Sequence, residues 1–426
     1  MDFTQISKIL HQNIAIAVGC TEPVAVALAV TKAKETLNLP VEKVELWLSR
    51  NIIKNAMGVG IPGTDMIGLP IAVALGIVCG DSRQELQVLA NARLHVEEAK
   101  QWLEEHKIEI NLKNTNEKLY IEAVCFDKTE TKYAKAIISK QHTNFVLIEK
   151  NGEKLVEKNI SSVQNEGENE GQQGLLLQEL NARLVYDYAT TASIEDLQWI
   201  LDTAKVNEAM VDEGLHGNYG LHSGLLLSKD SGLNLRKKII AHTCAASDAR
   251  MGGATLPIYS NFGSGNQGIT CTIPVYEFGL ELNCSEEKII RALILSNLMS
   301  IYIKSRIGRL SALCGIVNAS IGVTSAIVYL ENGSFEQICF AIRNMINTIT
   351  GMICDGAKPS CALKISTGLN AAFDSELLAM HNVVVDETDG IASKYIEKAI
   401  ENIGKIGRYG MDETDELILD IMTHNQ

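Results

Sequence analysis

Three cysteines in the last third of the sequence could together hold a metal cluster. Cys314, Cys354 and Cys361 occur in the local sequences SALCGIVNAS, GMICDGAKPS and SCALK. Cluster iron prefers thiolate ligands, and three of them hold three corners of a [4Fe–4S] cube while the fourth iron stays open as a Lewis acid. The spacing alone favours inert core thiols, because it lacks the short C-x2-C runs of electron-transfer ferredoxins.

The residues between the last two of these cysteines favour a shared site. Residues 355–359 have the sequence DGAKP, and Asp, Gly and Pro are residues typical of tight turns. Such a turn would present Cys354 and Cys361 from one loop.

Cys20 lies in the sequence GCTEP, where a predicted helix begins. Thr21 can cap this helix, and Glu22 and Pro23 suit its first turn. A thiol near a helix N-terminus has a stabilised thiolate and can titrate near neutrality, so Cys20 is a candidate proton acceptor in catalysis. Two other interpretations stay open, a small buried residue at a helix junction and a fourth cluster ligand.

A glycine-rich stretch at residues 260–268, SNFGSGNQG, could bind an anion. Its glycines let backbone N–H groups point at a carboxylate, and Ser, Asn and Gln add side-chain donors. The candidate substrate-binding residues are Ser264, Gly265, Asn266, Gln267 and Gly268. The stretch matches neither nucleotide-binding glycine motif, and a plain flexible loop is the alternative. The polar residues 50–55 (RNIIKN) follow a predicted strand and permit the same interpretation.

The histidines give weaker signals. His216 and His222 lie near Glu213, but their spacing is not that of an HExxH zinc site, so we interpret them as part of a glycine-rich helix connection. We likewise interpret His242 as a hydrogen-bonded histidine rather than a base.

The composition limits the class of partner. The 426 residues are 46% hydrophobic and 21% charged, with a formal net charge of −14, which disfavours nucleic acid and anionic membranes and favours a small-molecule substrate. The first residues have no secretory pattern and the apolar runs are short, so we expect a cytoplasmic protein. In that compartment the 10 cysteines are not expected to form structural disulfides. A homodimer stays open as the oligomeric state.

Hydrophobic periodicity predicts an α+β fold that is mainly helical and contains an inserted α/β module. Helical spacing is predicted at residues 2–18, 24–37, 68–79 and 82–105. Alternation begins at residue 41, and further strands are predicted at residues 108–112, 119–126, 132–139 and 144–148.

The polar residues 161–174 predict a surface loop or linker, and almost everything after them is predicted to be helical. We therefore expect a discontinuous helical catalytic domain, residues 1–39 and 172–426, around an α/β module of residues 40–171. This division would bring GCTEP beside the late cysteines.

Four blocks occur in the order GCTEP, SGNQG, SALCG and ICDGAKPSCALK, between Gly19 and Lys364. Together they resemble the L-cysteine desulfidase family, which is related to the α region of iron–sulfur L-serine dehydratases. The resemblance implies a serine-dehydratase-alpha-like helical domain with a [4Fe–4S] cluster on Cys314, Cys354 and Cys361. It also implies that Cys20 accepts a proton during α,β-elimination of L-cysteine to pyruvate, ammonia and hydrogen sulfide.

Three alternatives to this function stay open at the level of sequence. The first is an iron–sulfur L-serine dehydratase-like lyase acting on another small amino acid. The second is a pyridoxal-phosphate lyase with Lys54, Lys358 or Lys364 as the Schiff-base lysine. The third is a non-catalytic iron–sulfur sensor of redox state or of a metabolite.

Overall fold

The computed structural model describes residues 1–115, 117–158, 176–308 and 311–424. The linker predicted at residues 161–174 lies outside the described residues. The described chain forms a large helical domain and a smaller module built on a mixed sheet, and the predicted α+β, mainly helical fold class is confirmed.

The strands and helices alternate mainly in the first part of the chain. The strands are β1 (Ile14–Ala17), β2 (Lys43–Leu48), β3 (Gly60–Ile61), β4 (Met66–Ile67), β5 (Lys107–Leu112), β6 (Tyr120–Phe126), β7 (Tyr133–Ser139), β8 (Phe145–Lys150), β9 (Glu153–Glu157) and β10 (Ile258–Asn261). The helices of this part are α1 (Phe3–Asn13), α2 (Thr21–Leu37), α3 (Arg50–Ala56), α4 (Leu69–Val78) and α5 (Val96–Glu105).

The rest of the described chain is helical except for β10. The helices are α6 (Ala182–Thr191), α7 (Ile194–Leu197), α8 (Ile200–His216), α9 (Ser223–Ser228), α10 (Leu235–Met251), α11 (Gly265–Glu281), α12 (Glu286–Ile307), α13 (Gly315–Leu330), α14 (Phe335–Ile349), α15 (Cys361–Met380), α16 (Ile396–Lys405) and α17 (Asp412–His424).

The module is built on a sheet with the strand order β5-β2-β6-β7-β8-β9. Strands β2 and β5 run parallel, and the other neighbours are antiparallel. The four strands predicted beyond residue 107 are present, and β9 extends the sheet beyond them. The single helix predicted for residues 82–105 is wrong. Two short 3-10 turns precede α5, because Glu85 takes a positive φ of 49° that interrupts helical geometry.

Helix α13 occupies the centre of the helical domain. It packs against α11, α12, α14 and α15, and nearly all of its side chains are buried, as expected for a helix that is apolar on every face. A Cβ on Gly322 would lie 2.3 Å from the carbonyl oxygen of Ser296, so this glycine permits α12 and α13 to approach closely. The central helix therefore fixes the position of its N-terminal residues, including Cys314.

The chain passes from the helical domain to the sheet module at Gly19. The helix predicted for residues 2–18 ends at Asn13, and β1 then pairs antiparallel with β10 of the helical domain. Gly19 has a φ of 68°, and a Cβ there would lie 2.5 Å from the ring of Pro62, so the crossing requires glycine. Helix α2 shares its buried side chains with the sheet. The predicted boundary at residue 39 would place α2 in the helical domain, whereas its apolar face packs on the sheet.

The C-terminal helix α17 returns to the sheet module. Leu419 is buried in the apolar cluster beneath the sheet. Asp415 forms an ion pair with Lys54 of α3, and Glu416 lies 2.5 Å from Arg50. Within the described ranges, none of the helices combines the length and the apolar character needed to span a bilayer.

Candidate functional site

A short antiparallel bridge brings two of the late cysteines side by side. Leu313 bridges to Ile353, the Cys314 N–H donates to the carbonyl of Met352 at 3.0 Å, and the Cys354 N–H donates to the carbonyl of Ala312 at 2.6 Å. Cys314 is also the N-cap residue of α13. Residues far apart in sequence are thus held next to each other by main-chain hydrogen bonds.

The third late cysteine, Cys361, opens α15 immediately after the predicted turn. Its N–H donates to the carbonyl of Lys358 at 2.9 Å. Asp355 holds the turn closed by pairing with Lys358 at 2.8 Å and with Lys364. Gly356 has a φ of 95°, and a Cβ there would lie 2.0 Å from the carbonyl oxygen of Lys54, so the turn lies directly against the sheet module.

Cys20 lies at the N-terminus of α2, where it is buried near the turn of residues 355–359 that precedes Cys361. Its side chain is 5% exposed and packs near Met251 and Cys361. Its Sγ donates to a Glu22 carboxylate oxygen at 3.2 Å. Burial raises the pKa of the Cys20 thiol, and the charge of Glu22 raises it further. This direction is opposite to the sequence-based expectation of titration near neutrality, because desolvation and the adjacent carboxylate outweigh the helix N-terminus.

All four cysteines line one cavity of about 600 Å³ between the helical domain and the sheet module. This volume lies in the range of sites for small ligands. The sheet module contributes Asn51, Lys54 and Asn55 of the polar segment singled out in the sequence, and the helical domain contributes Arg250, Ser264, Asn266, Gln267 and Lys304. The cysteine thiols are not arranged around a single ion. Within the described residues, the one group of ligand atoms closer together than 4.8 Å is found elsewhere.

The five predicted substrate-binding residues form the beginning of a helix rather than a loop. Ser264 caps α11 by accepting from the Gln267 N–H at 3.4 Å. Ser264, Asn266 and Gln267 line the cavity. Gly265 and Gly268 are not lining residues, and their lack of a side chain leaves room for Arg250 and for the main chain at Tyr259. A Cβ on Gly268 would lie 1.9 Å from the carbonyl oxygen of Tyr259. The free N–H groups of this helix N-terminus suit an anion.

Arg250, at the end of α10, faces the same helix N-terminus. Its guanidinium donates to the carbonyl of Gly19 at 3.0 Å and to the side-chain oxygen of Asn266 at 3.2 Å. A Cβ on Gly265 would lie 2.1 Å from its Nε. This buried Nε has no acceptor among the residues that the structure describes. Arg250 therefore has donor capacity left for a ligand in the cavity.

A buried lysine adds a further cationic group to the cavity. Lys304 of α12 is 4% exposed, and burial lowers its pKa to about 8, although the neighbouring Cys354 and Cys314 raise it. Lys54 of α3 lines the same cavity and is paired with Asp415. The cavity thus combines thiols with cationic side chains, an environment that favours anionic ligands.

Sequence reasoning missed Glu22, Arg250 and Lys304 as members of this site. Glu22 was interpreted only as a favourable first-turn residue, although its position two residues after Cys20 already placed it within reach of the thiol. No local motif surrounds Arg250 or Lys304, because both act through long-range packing. His216 and His222 are not among the lining residues of the cavity.

Comparison with known proteins assigns the chain to a family. A model described as "serine dehydratase alpha chain" matches residues 85–420. UPF0597 proteins of Phocaeicola vulgatus and Bacteroides fragilis are each 48% identical to the chain, over 99% of it and 98% of their own length. A UPF0597 protein of Bacteroides thetaiotaomicron is 47% identical over 99% of this chain and 97% of its own. The chain therefore belongs to the serine dehydratase alpha chain family.

Proposed function

We propose that the protein is an L-cysteine desulfidase that converts L-cysteine and water to pyruvate, ammonia and hydrogen sulfide. Membership of the serine dehydratase alpha chain family points to a lyase. The proposal of cluster-dependent elimination from L-cysteine rests on one observation. Cys20, Cys314, Cys354 and Cys361 line one cavity together with groups suited to binding a carboxylate. The elimination needs an acceptor for the α-proton, assistance to the leaving sulfide and a binding site for the carboxylate.

Cys314, Cys354 and Cys361 would hold a [4Fe–4S] cluster. Their donor set fits one, because the three thiols line the same cavity and thiolate is the ligand that cluster iron prefers. Burial raises the pKa of the Cys314 and Cys361 thiols, so iron would have to displace their protons on binding. A cluster also needs ligands more widely separated than a single ion does, in agreement with the spread of these thiols. When bound, the cluster would supply an open iron as a Lewis acid for the leaving group.

The substrate carboxylate would bind at the N-terminus of α11. Ser264 and Asn266 provide polar groups there, and the helix N-terminus provides N–H donors. Arg250 adds a guanidinium whose Nε has no acceptor among the described residues. Together these groups would fix the orientation of the amino acid, with its Cα facing Cys20.

Cys20 would take the α-proton once its own proton has passed to Glu22. Glu22 already accepts the thiol hydrogen bond, and Asn55 donates to its other carboxylate oxygen at 3.1 Å, which fixes its orientation. The electron pair of the broken Cα–H bond forms the Cα–Cβ double bond as the Cβ–S bond breaks. The resulting enamine becomes an imine and hydrolyses to pyruvate and ammonia. The protein's task is therefore confined to the elimination.

Anaerobic purification tests the proposal. The protein should contain about four irons with matching acid-labile sulfide, and it should release pyruvate and sulfide from L-cysteine. L-serine is the second candidate substrate because of the family's name. Faster pyruvate formation from L-serine would replace L-cysteine as the preferred substrate, and iron-loaded protein that is inactive on both would contradict the lyase proposal.

The pyridoxal-phosphate and sensor alternatives are separated by the same preparation. Lys54 pairs with Asp415, and both Lys358 and Lys364 pair with Asp355, so each candidate Schiff-base lysine is already engaged in an ion pair with a carboxylate. Reduction with borohydride would trap a pyridoxal adduct and would not label an iron–sulfur enzyme. Turnover of any amino acid would contradict a purely sensory role.

A further inference from the structure

A second group of potential metal ligands lies in the helical domain, outside the lining of the cysteine cavity. Glu208 of α8, His242 of α10 and Glu277 of α11 place their ligand atoms within 4.8 Å of one another. Among the described parts of the chain, no other group of His, Cys, Asp and Glu side chains meets this distance. The three ligands come from three helices, so their convergence is a property of the tertiary fold.

The two carboxylates in this group need a cation between them. His242 Nδ1 lies 2.7 Å from a carboxylate oxygen of Glu277, which is 7% exposed. The Oε2 of Glu208 is buried, and no described residue donates a hydrogen bond to it. Glu208 instead lies within hydrogen-bonding distance of Glu277, another acceptor. Burial and the charge of Glu277 raise the pKa of Glu208 to about 8.

The neighbouring side chains do not supply this cation. Asp212, one turn along α8, adds negative charge. The positive charge of Lys238 acts on Glu208, but its Nζ is paired at 2.8 Å with Glu281. A second carboxyl pair in the molecule, Glu331 and Glu376, has Arg236 at 3.1 Å from Glu376. No arginine or lysine of the described chain forms such an ion pair with Glu208 or Glu277.

We propose that Glu208, His242 and Glu277 bind a divalent cation of the first transition row. Two carboxylates and an imidazole suit Zn²⁺, Mn²⁺ or Fe²⁺, and three protein ligands leave positions for water. His242 is 21% exposed, so an ion can reach the site from solvent. The bound ion ties together α8, α10 and α11 and thereby stabilises the two helices whose ends carry Arg250 and Asn266.

Mn²⁺ is the probe for this site, because thiols are poor ligands for it and the cysteine cavity does not compete. Electron paramagnetic resonance of free Mn²⁺ during titration into the purified chain should show one bound ion per chain. Glu277→Gln should weaken binding about ten-fold or more. Glu286→Gln, at an exposed carboxylate in the first turn of α12, is the control and should bind Mn²⁺ within about two-fold of the original chain.

Two further measurements keep the test decisive. The thermal unfolding midpoint of the unmodified chain should rise with Mn²⁺ concentration, and that of Glu277→Gln should not, whatever its starting stability. Cys354→Ser should retain Mn²⁺ binding, since its thiol lies in the other site. Absence of saturable Mn²⁺ binding to the unmodified chain, equal binding by Glu277→Gln, or loss of binding in Cys354→Ser would each overturn the proposal.

Discussion

The cysteine cavity and the carboxylate–histidine cluster of Glu208, His242 and Glu277 share two helices. Helix α10 carries His242 near its middle and Arg250 near its end, and α11 carries Asn266 in its first turn and Glu277 one turn before its end. The positive N-terminus of α11 faces the cavity, and its acidic side chain faces the cluster. Helices α10 and α11 thus favour an anion in the cavity, beside Arg250 and the N-terminus of α11, and a cation at His242 and Glu277.

The largest expected effect comes from removing a thiol from the cavity. Cys354→Ser should lose the cluster, its visible absorption and pyruvate formation together, because a serine oxygen is a poor match for cluster iron. Iron content, absorption spectrum and turnover measure this outcome. A Cys284→Ser variant, whose half-buried thiol lies outside the cavity lining, is the control and should keep its iron. Full iron content in Cys354→Ser would remove this residue from the ligand set.

Cys20→Ser should separate proton transfer from cluster binding. We expect iron and absorption to remain while the rate falls about 10²- to 10⁴-fold, the loss typical for a missing general base. Glu22→Gln should also lower the rate, since the amide cannot accept the thiol proton.

Two results would contradict the assignment of Cys20 as base. Equal iron loss in Cys20→Ser and Cys354→Ser would make Cys20 a fourth ligand. Undiminished turnover in Cys20→Ser would require another base in the cavity.

Arg250→Lys should affect substrate binding more than iron content. Lysine keeps the charge but loses the planar fork, and a lost hydrogen bond to a charged group corresponds to roughly a ten-fold or greater rise in KM. Arg236→Lys, on the same helix but paired with Glu376, is the control. An unchanged KM in Arg250→Lys, with native stability, would place the carboxylate elsewhere.

The smallest effect concerns the carboxyl pair of Glu331 and Glu376, which has an arginine but no histidine. Burial, followed by Glu331, raises the folded-state pKa of Glu376 from 4.5 to about 8. The folded state therefore holds a proton that the unfolded state has released, and stability should fall as the pH rises from about 5 through about 8.

In Glu376→Gln this decline should be smaller by on the order of 1 kcal/mol, measured by denaturant unfolding at pH 6 and pH 9. Mn²⁺ should not change the difference in pH-dependent stability between the original chain and Glu376→Gln, because we do not propose a metal site at Glu331 and Glu376. The exposed Glu104→Gln serves as the control. An unchanged pH dependence in Glu376→Gln would show that Glu376 titrates normally.

Sequence patterns predicted the strands and turns that are determined by residues close together in the sequence. Alternation predicted the strands beyond residue 107, and the DGAKP turn before Cys361 follows from its residue types. Strand β1 was missed because its apolar residues, Ile14 to Ala17, continue the helical pattern of α1, and only pairing with β10 makes them extended. The packing of α2 on the sheet was not predicted, because the apolar character of a helix does not specify the surface that it covers.

The partners of the site residues were less predictable than the residues themselves. The sequence made Cys20 a candidate, but the direction of its pKa shift depends on burial and on Glu22. The carboxylate–histidine cluster was not predicted, because Glu208, His242 and Glu277 have no common motif and meet only through the packing of three helices. Both the pKa shift of Cys20 and the convergence of these three ligands depend on packing between distant segments. Hydrophobic periodicity carries no information on that packing.

The crossing of the chain at Gly19 has a consequence for the order of assembly. Cys20 and Cys361 come from opposite ends of the chain, and Cys20 reaches its neighbours only after both units have folded and docked. Such contacts of high sequence separation close late and slowly. A newly made chain therefore passes through a period in which its thiols are solvent-exposed and open to oxidation. If the proposed cluster is present, delivery of its iron would have to be timed to the docking of the two units.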